Sequence, residues 1–165
     1  MRRKDREMDR DFAVYVMNKC EYAVISMIDV NGMPYCIPIT IACGENCIYF
    51  HSAKEGFKTQ CLEKNNDVCI SCVGDTRRSE NKFTTEYESA VIRGKACEVT
   101  DDSEKINALR LICERHTPLN MTDFENAIVR SLSRTAVWKV EISEITGKRK
   151  KYDSDGKEMK FMRMK

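Results

Sequence analysis

The 165-residue sequence predicts a small antiparallel barrel of the α+β class, and three observations predict it. Two β-rich runs, EYAVISMID and MPYCIPITIA, flank Asn31-Gly32, a dipeptide suited to a tight hairpin. A long strand-like run, YESAVIRGKACEVT, carries Gly94 in its middle, where a bulge or bend would curl a sheet. Helical patterns enter between the later strands without βαβ alternation, and there is no GxGxxG turn, so a dinucleotide-binding Rossmann sheet is not expected.

The elements follow in order. Residues 8–19 (MDRDFAVYVMNK) place Met8, Phe12, Tyr15 and Val16 at helical spacing, which predicts an opening amphipathic helix. The hairpin comes next, and NCIYFHS, after the turn at Gly44-Glu45-Asn46, adds a third strand to make a meander. Residues 53–64 (AKEGFKTQCLEK) read as a helix closed by Asn65-Asn66, followed by the strand DVCISCVG. The polar, aperiodic segment 75–85 reads as a loop before the long strand at 87–100. From Asp102, Ile106, Leu109, Ile112 and Cys113 share a helical face, with Asp102 or Ser103 available as a cap. TDFENAIVRSL gives a second short helix after Pro118, and TAVWKVEISEI alternates with Trp138, Val140 and Ile142 on one face. The division expected is one domain over residues 1–146 and a basic extension over 147–165, with a hairpin signal at Asp155-Gly156.

Composition narrows the function classes. At 42% apolar and 33% charged, the chain is a globular type with enough length for one core. The start, MRRKDREMDR, lacks the apolar stretch of a signal peptide and no run approaches a membrane span, so a cytoplasmic protein without membrane contact is expected. Nine cysteines are an odd number, and Cys69 and Cys72 lie three apart on a strand, on opposite faces, so no zinc site is expected. Residues 1–10 carry a net +2 and residues 147–165 a net +5. Basic ends can touch nucleic acid, but interruption by Asp153, Asp155 and Glu158 favours a solvated arm and tail.

The stretch YFHSAKEGFK (49–58) carries the chemistry. Ser52-Ala53-Lys54-Glu55 matches the S-x-x-E capping box, which explains Ser52 and Glu55 without any ligand. It leaves Lys54 and Lys58, at i and i+4 beside a helix start, where free amides and the helix dipole favour an anion. Along NCIYFHS, alternation puts Ile48 and Phe50 on one face and Tyr49 and His51 on the other, with His51 at the strand's exit. His116, before Thr117-Pro118, reads as a capping or surface residue.

The succession MRRKDRE, PYCIPI, IYFHSAKEGFK and SAVIRGKA resembles the nitroimidazole-resistance (Nim) proteins of the pyridoxamine 5′-phosphate oxidase-like superfamily, over nearly the whole chain. The resemblance implies a six-stranded antiparallel split β-barrel of Greek-key type with peripheral helices. It also implies a homodimer that binds FMN in a cleft between subunits. By the same resemblance Pro38, Ile39 and Thr40 lie along the flavin ring, while His51, Ser52, Ala53 and Lys58 surround the phosphate and ribityl chain. Ser89 is a candidate for the ring edge. Trp138 reads first as a core residue, and second as one reaching the cofactor from the partner. The implied activity is an NAD(P)H-linked oxidoreductase passing electrons to a nitroaromatic acceptor such as a 5-nitroimidazole, with the catalytic residue left open. The alternatives are a flavin carrier or sensor without turnover, or an enzyme related to the pyridoxamine phosphate oxidases. Against the last, the fuller arginine set of the true oxidases is missing.

Overall fold

The computed structural model of the chain describes residues 2–161. Its strands are β1 (Glu7–Met8), β2 (Ala23–Ile28), β3 (Pro34–Ile39), β4 (Ala42–Cys43), β5 (Cys47–Ala53), β6 (Asp67–Arg78), β7 (Thr85–Glu98) and β8 (Thr135–Lys150). Its helices are α1 (Arg10–Lys19), α2 (Phe57–Lys64), α3 (Asp102–His116) and α4 (Phe124–Ser131). The strands form one antiparallel sheet in the order β3-β2-β6-β7-β8-β5-β4, with β1 on β8. Because β1 and β4 are two residues each, six longer strands make the body of the split barrel. Strands β6, β7 and β8 lie side by side in chain order and β8 returns beside β5, which is a Greek key.

The hairpin between β2 and β3 forms as expected, with Asp29 Oδ1 accepting from the amides of Asn31 and Met33 at 2.8 Å each. The three-strand meander does not form. β5 pairs with β8 and β4, and β3 has β2 as its only partner. Pro34 and Pro38 explain this: each removes a ladder donor, which makes β3 an edge strand. The chain therefore leaves the edge at Thr40–Ile41 and crosses the split to begin β4.

The expected loop at 75–85 is shorter, confined to residues 79–84. β6 continues to Arg78 and β7 starts at Thr85, with Arg78 opposite Thr85, so only a short turn remains. Cross-strand pairing overrides the polar composition, because both strands are exposed at this end and need no apolar alternation. Gly94 does mark an irregularity, a register shift between Arg93 and Gly94 against β8. A Cβ there would collide with the Glu141 carbonyl, so the bend requires glycine.

Two cores share β5 and β8. Inside the barrel Ile25, Ile48, Phe50, Ile70, Ile92 and Val140 are fully buried, each such side chain contributing about 1.5–3 kcal/mol. Outside it, Ala108, Leu109 and Ile112 of α3 and Phe124 and Ile128 of α4 pack on Tyr49 and Val137. Residues 47–50 are consequently buried on both faces, rather than alternating in and out.

Helix α1 buries Ala13, Val16 and Met17, while Tyr15 is exposed, so its inner face is rotated from the one expected. Asp9 caps it by accepting from the Phe12 amide at 2.8 Å. Helix α3 is capped by Asp101, one residue before the candidates, through the Glu104 amide. Its buried face is Lys105, Ala108, Leu109 and Ile112, with Cys113 and Ile106 at the margin.

Candidate functional site

The corner where β5 hands over to α2 is built differently from a capping box. Ser52 and Ala53 remain in β5, paired with Ala136 and Thr135 of β8, and residues 54–56 form a bend. The Ser52 hydroxyl accepts from Trp138 Nε1 at 3.2 Å and donates to the Ala53 carbonyl at 2.8 Å, so it is not free to cap. Gly56 occupies the N-cap position at φ 141° and ψ 170°, a conformation that side chains rarely tolerate. The helix therefore begins only at Phe57, and no side chain caps it. The expected i, i+4 pair of lysines on one helical face is also not present. Lys54 lies in the bend and is exposed, and Lys58 alone is helical.

Lys58 is half-buried, with Nζ 5.6 Å from the centroid of the Phe50 ring. Phe50 in turn stacks on Trp138 at 6.4 Å and 12°. Desolvation alone lowers the Lys58 pKa, and no carboxylate offsets it. His51, opposite Val137 in β8, projects from the exposed end of β5. Its pKa is lowered by desolvation first, then by the charges of Lys58 and His116. Lys58 thus stands over the Phe50 ring beside a helix start that no side chain caps, and its charge is felt at His51. Among the described residues no carboxylate shifts the pKa of either group, and a helix start of this kind can accept an anion.

Pro38 and Thr40 are exposed and Ile39 is buried, at the end of edge strand β3. Tyr35 of β3 meets Phe57 of α2 edge to face at 5.0 Å, tying the edge strand to the start of the helix. The crossing at Ile41 is held from the other side. The Ile41 carbonyl is 2.9 Å from Arg115 Nη1 and 2.9 Å from His116 Nε2. His116 is therefore a tertiary contact of the site rather than a surface residue. No local pattern reveals this, since the contact joins residues 75 apart in sequence.

Ser89 stands apart from the rest. It pairs with Val73 and Lys148, whereas His51 pairs with Val137. Along β8 those two positions are separated by about 35 Å of strand path. Within one chain His51, Ser52, Ala53, Lys54 and Lys58 follow one another through the β5–α2 turn, Pro38–Thr40 end the edge strand that Tyr35 ties to Phe57, and Ser89 lies at the far end of the sheet. A surface groove of about 670 Å³ lies at the Gly94 bend, lined by Met27, Ile28, Val68, Arg93 and Ile142 among others, and includes none of these residues.

The basic ends are folded together. Arg3 binds Asp5 through Nε at 2.7 Å, Lys160 Nζ binds Asp5 at 2.7 Å, and Arg6 Nε binds Glu158 at 2.6 Å. Asp5 is buried by this arm and tail, and a Tyr152–Glu158 bridge closes the turn around Gly156. Among the described residues no group of three or more His, Cys, Asp or Glu is placed to hold a metal ion, and Cys69 is half-buried while Cys72 is in the core. No described helix is long and apolar enough to cross a membrane.

Solved structures share this architecture. A candidate 5-nitroimidazole antibiotic resistance protein from Bacteroides thetaiotaomicron is 25% identical, with a TM-score of 0.72 over 87% of this chain and 86% of that one. A FAD and heme binding protein from Mycobacterium smegmatis is 16% identical, with a TM-score of 0.74 over 88% and 73%. The flavocytochrome Anf3 from Azotobacter vinelandii is 18% identical, with a TM-score of 0.66 over 95% and 80%. No curated protein matches the sequence. The family model for pyridoxamine 5′-phosphate oxidase matches residues 9–149. With that match across the barrel and both of its cores, the chain belongs to the pyridoxamine 5′-phosphate oxidase family.

Proposed function

We propose that the chain is a flavoprotein that binds FMN at the β5–α2 corner and works as an NAD(P)H-linked oxidoreductase on small nitroaromatic acceptors. The observation that carries the reading is Lys58, half-buried with no counter-ion among the described residues, beside a helix start with no side-chain cap. A phosphate would supply the missing charge, with each charge-assisted hydrogen bond contributing roughly 1.5–3 kcal/mol. Similarity to a candidate nitroimidazole-resistance protein supports the acceptor class, and the FAD-binding and flavocytochrome structures support a flavin.

In this reading Lys58, His51 and the first amides of α2 bind the phosphate. Ser52 and Ala53 line the ribityl chain, and Lys54 adds positive charge from the bend. Pro38, Ile39 and Thr40 present main chain along the ring, which is what an edge strand with unpaired groups can offer. The bound flavin supplies the redox chemistry, taking electrons from a nicotinamide donor and passing them to the acceptor. The protein's own part is to bind, orient and exclude water. A lowered His51 pKa keeps that imidazole neutral near pH 7 until an anion arrives.

The ring cleft is completed by a second copy. Pro38, Val24, Ser71 and Val91 stand opposite one another across four strands. Val73 and Val91 on the same outer face are 52% and 38% exposed, an apolar surface that a homodimer would cover. Ser89, opposite Val73, flanks that surface and would lie within such an interface. The test is reconstitution with FMN, followed by absorbance and NAD(P)H oxidation against a nitroimidazole panel. Flavin absorbance that co-elutes with protein, and turnover with at least one acceptor, support the reading. Bound flavin without turnover would leave a carrier or sensor, and failure to retain flavin would refute it.

A further inference from the structure

Arg115 and His116, in the last turn of α3, converge on one main-chain oxygen. Arg115 Nη1 and His116 Nε2 each lie 2.9 Å from the Ile41 carbonyl, which uses both of its lone pairs. Arg115 Nη2 also donates to the carbonyls of Met17, at 2.8 Å, and Cys20, at the C-terminal end of α1. Ile41 is fully buried and follows directly on Thr40, at the point where the chain crosses the split. The route of Pro38–Thr40 is therefore fixed at one end by pairing with β2 and at the other by this grip.

The two side chains divide the work. Arg115 satisfies three carbonyls, two at the end of α1 and one in the β3–β4 crossing, so it is a structural tie that cannot be removed without stranding buried acceptors. His116 makes a single hydrogen bond, to Ile41, and is half-buried. Its loss leaves the Ile41 oxygen still bonded to Arg115, and releases only the second constraint on the crossing.

We propose that His116 is a positioning residue of the flavin pocket, setting the path of Pro38–Thr40 against the ring by holding the Ile41 carbonyl. This rests on the flavin reading above and adds to it a residue outside the YFHSAKEGFK stretch. It also makes a distinction that a phosphate ligand does not. A residue that positions the ring-binding segment affects FMN and riboflavin alike, because both carry the ring.

The experiment titrates wild type, His116→Ala and His116→Gln with FMN and with riboflavin, and records the visible spectrum of the bound flavin and the melting temperature without ligand. Losing one hydrogen bond should weaken both ligands by about five- to tenfold in His116→Ala, with an altered flavin band. His116→Gln, whose side-chain amide can still donate to Ile41, should restore affinity and spectrum. Unchanged binding of both flavins in His116→Ala overturns the inference. So does weakening of FMN alone, or a lowered melting temperature with an unaltered flavin band. If wild type binds neither flavin, the flavin reading itself fails and takes this inference with it, a result distinct from the others.

Discussion

Trp138 Nε1 donates to Ser52 Oγ at 3.2 Å, joining the barrel core to the exit of β5. The same indole stacks on Phe50, over which Lys58 Nζ sits. A buried aromatic thus sets the position of the corner from beneath. Trp138→Phe keeps the stacking and loses the donor, which should cost about 0.5–1.5 kcal/mol in urea unfolding. Trp138→Ala should cost about 3–5 kcal/mol, since it also opens a cavity. In a double-mutant cycle with Ser52→Ala, coupling should appear for Trp138→Phe; additive losses would show that the hydrogen bond contributes nothing.

Gly56→Ala places a side chain at φ 141°. The expected cost is about 1–3 kcal/mol, even though nothing lies within 4 Å of the added Cβ. Equilibrium denaturation measures this directly. A neutral substitution would mean that α2 starts elsewhere in solution.

Much of the barrel was legible because the signals were local. Asn31-Gly32 forms its hairpin, Gly94 its bend, and Trp138 and Val140 face the interior of β8. What was not legible depends on contacts across the sequence. The S-x-x-E pattern at Ser52 fails because Trp138, 86 residues away, claims the hydroxyl. Alternation sets Tyr49 on the face opposite Phe50, and a second layer from α3 and α4 that no local pattern shows buries that face too. Residues 75–78 at the start of the polar segment are held as strand by their partners rather than by their own composition. The charged ends read as free, and pair only because the chain returns at Glu158 and Lys160 to meet Asp5 and Arg6.

Those ends give a pH prediction. Arg6 first, and Lys160 with it, hold Glu158 down to about 2 from an ordinary 4.5. A depressed carboxylate stabilises the fold fully above its unfolded pKa, and the contribution disappears as pH falls through the folded one. The clasp should therefore hold above pH about 4.5 and weaken progressively toward pH 2. Melting temperature against pH, compared with Glu158→Gln, should show the two proteins converging at the acid end; parallel curves across the window would contradict the pairing.

His51 and the phosphate give a second, of opposite sign. Without ligand, the lowered pKa means that protonating His51 costs stability as pH falls through the unfolded value of 6.5. A bound phosphate favours the imidazolium, so FMN affinity should rise from pH 8 to about 6.5 while riboflavin affinity stays level. Below about 6 the phosphate itself gains a proton and the trend should flatten. Titrations at several pH values test this, and His51→Gln should abolish the slope.

The most direct test of the account compares FMN and riboflavin binding in wild type and Lys58→Met. The variant keeps the apolar stem over Phe50 and removes only the charge. FMN affinity should fall about 10- to 100-fold, with riboflavin affinity changed less than about twofold. An equal loss for both flavins, or none for either, would contradict a phosphate held at the β5–α2 corner.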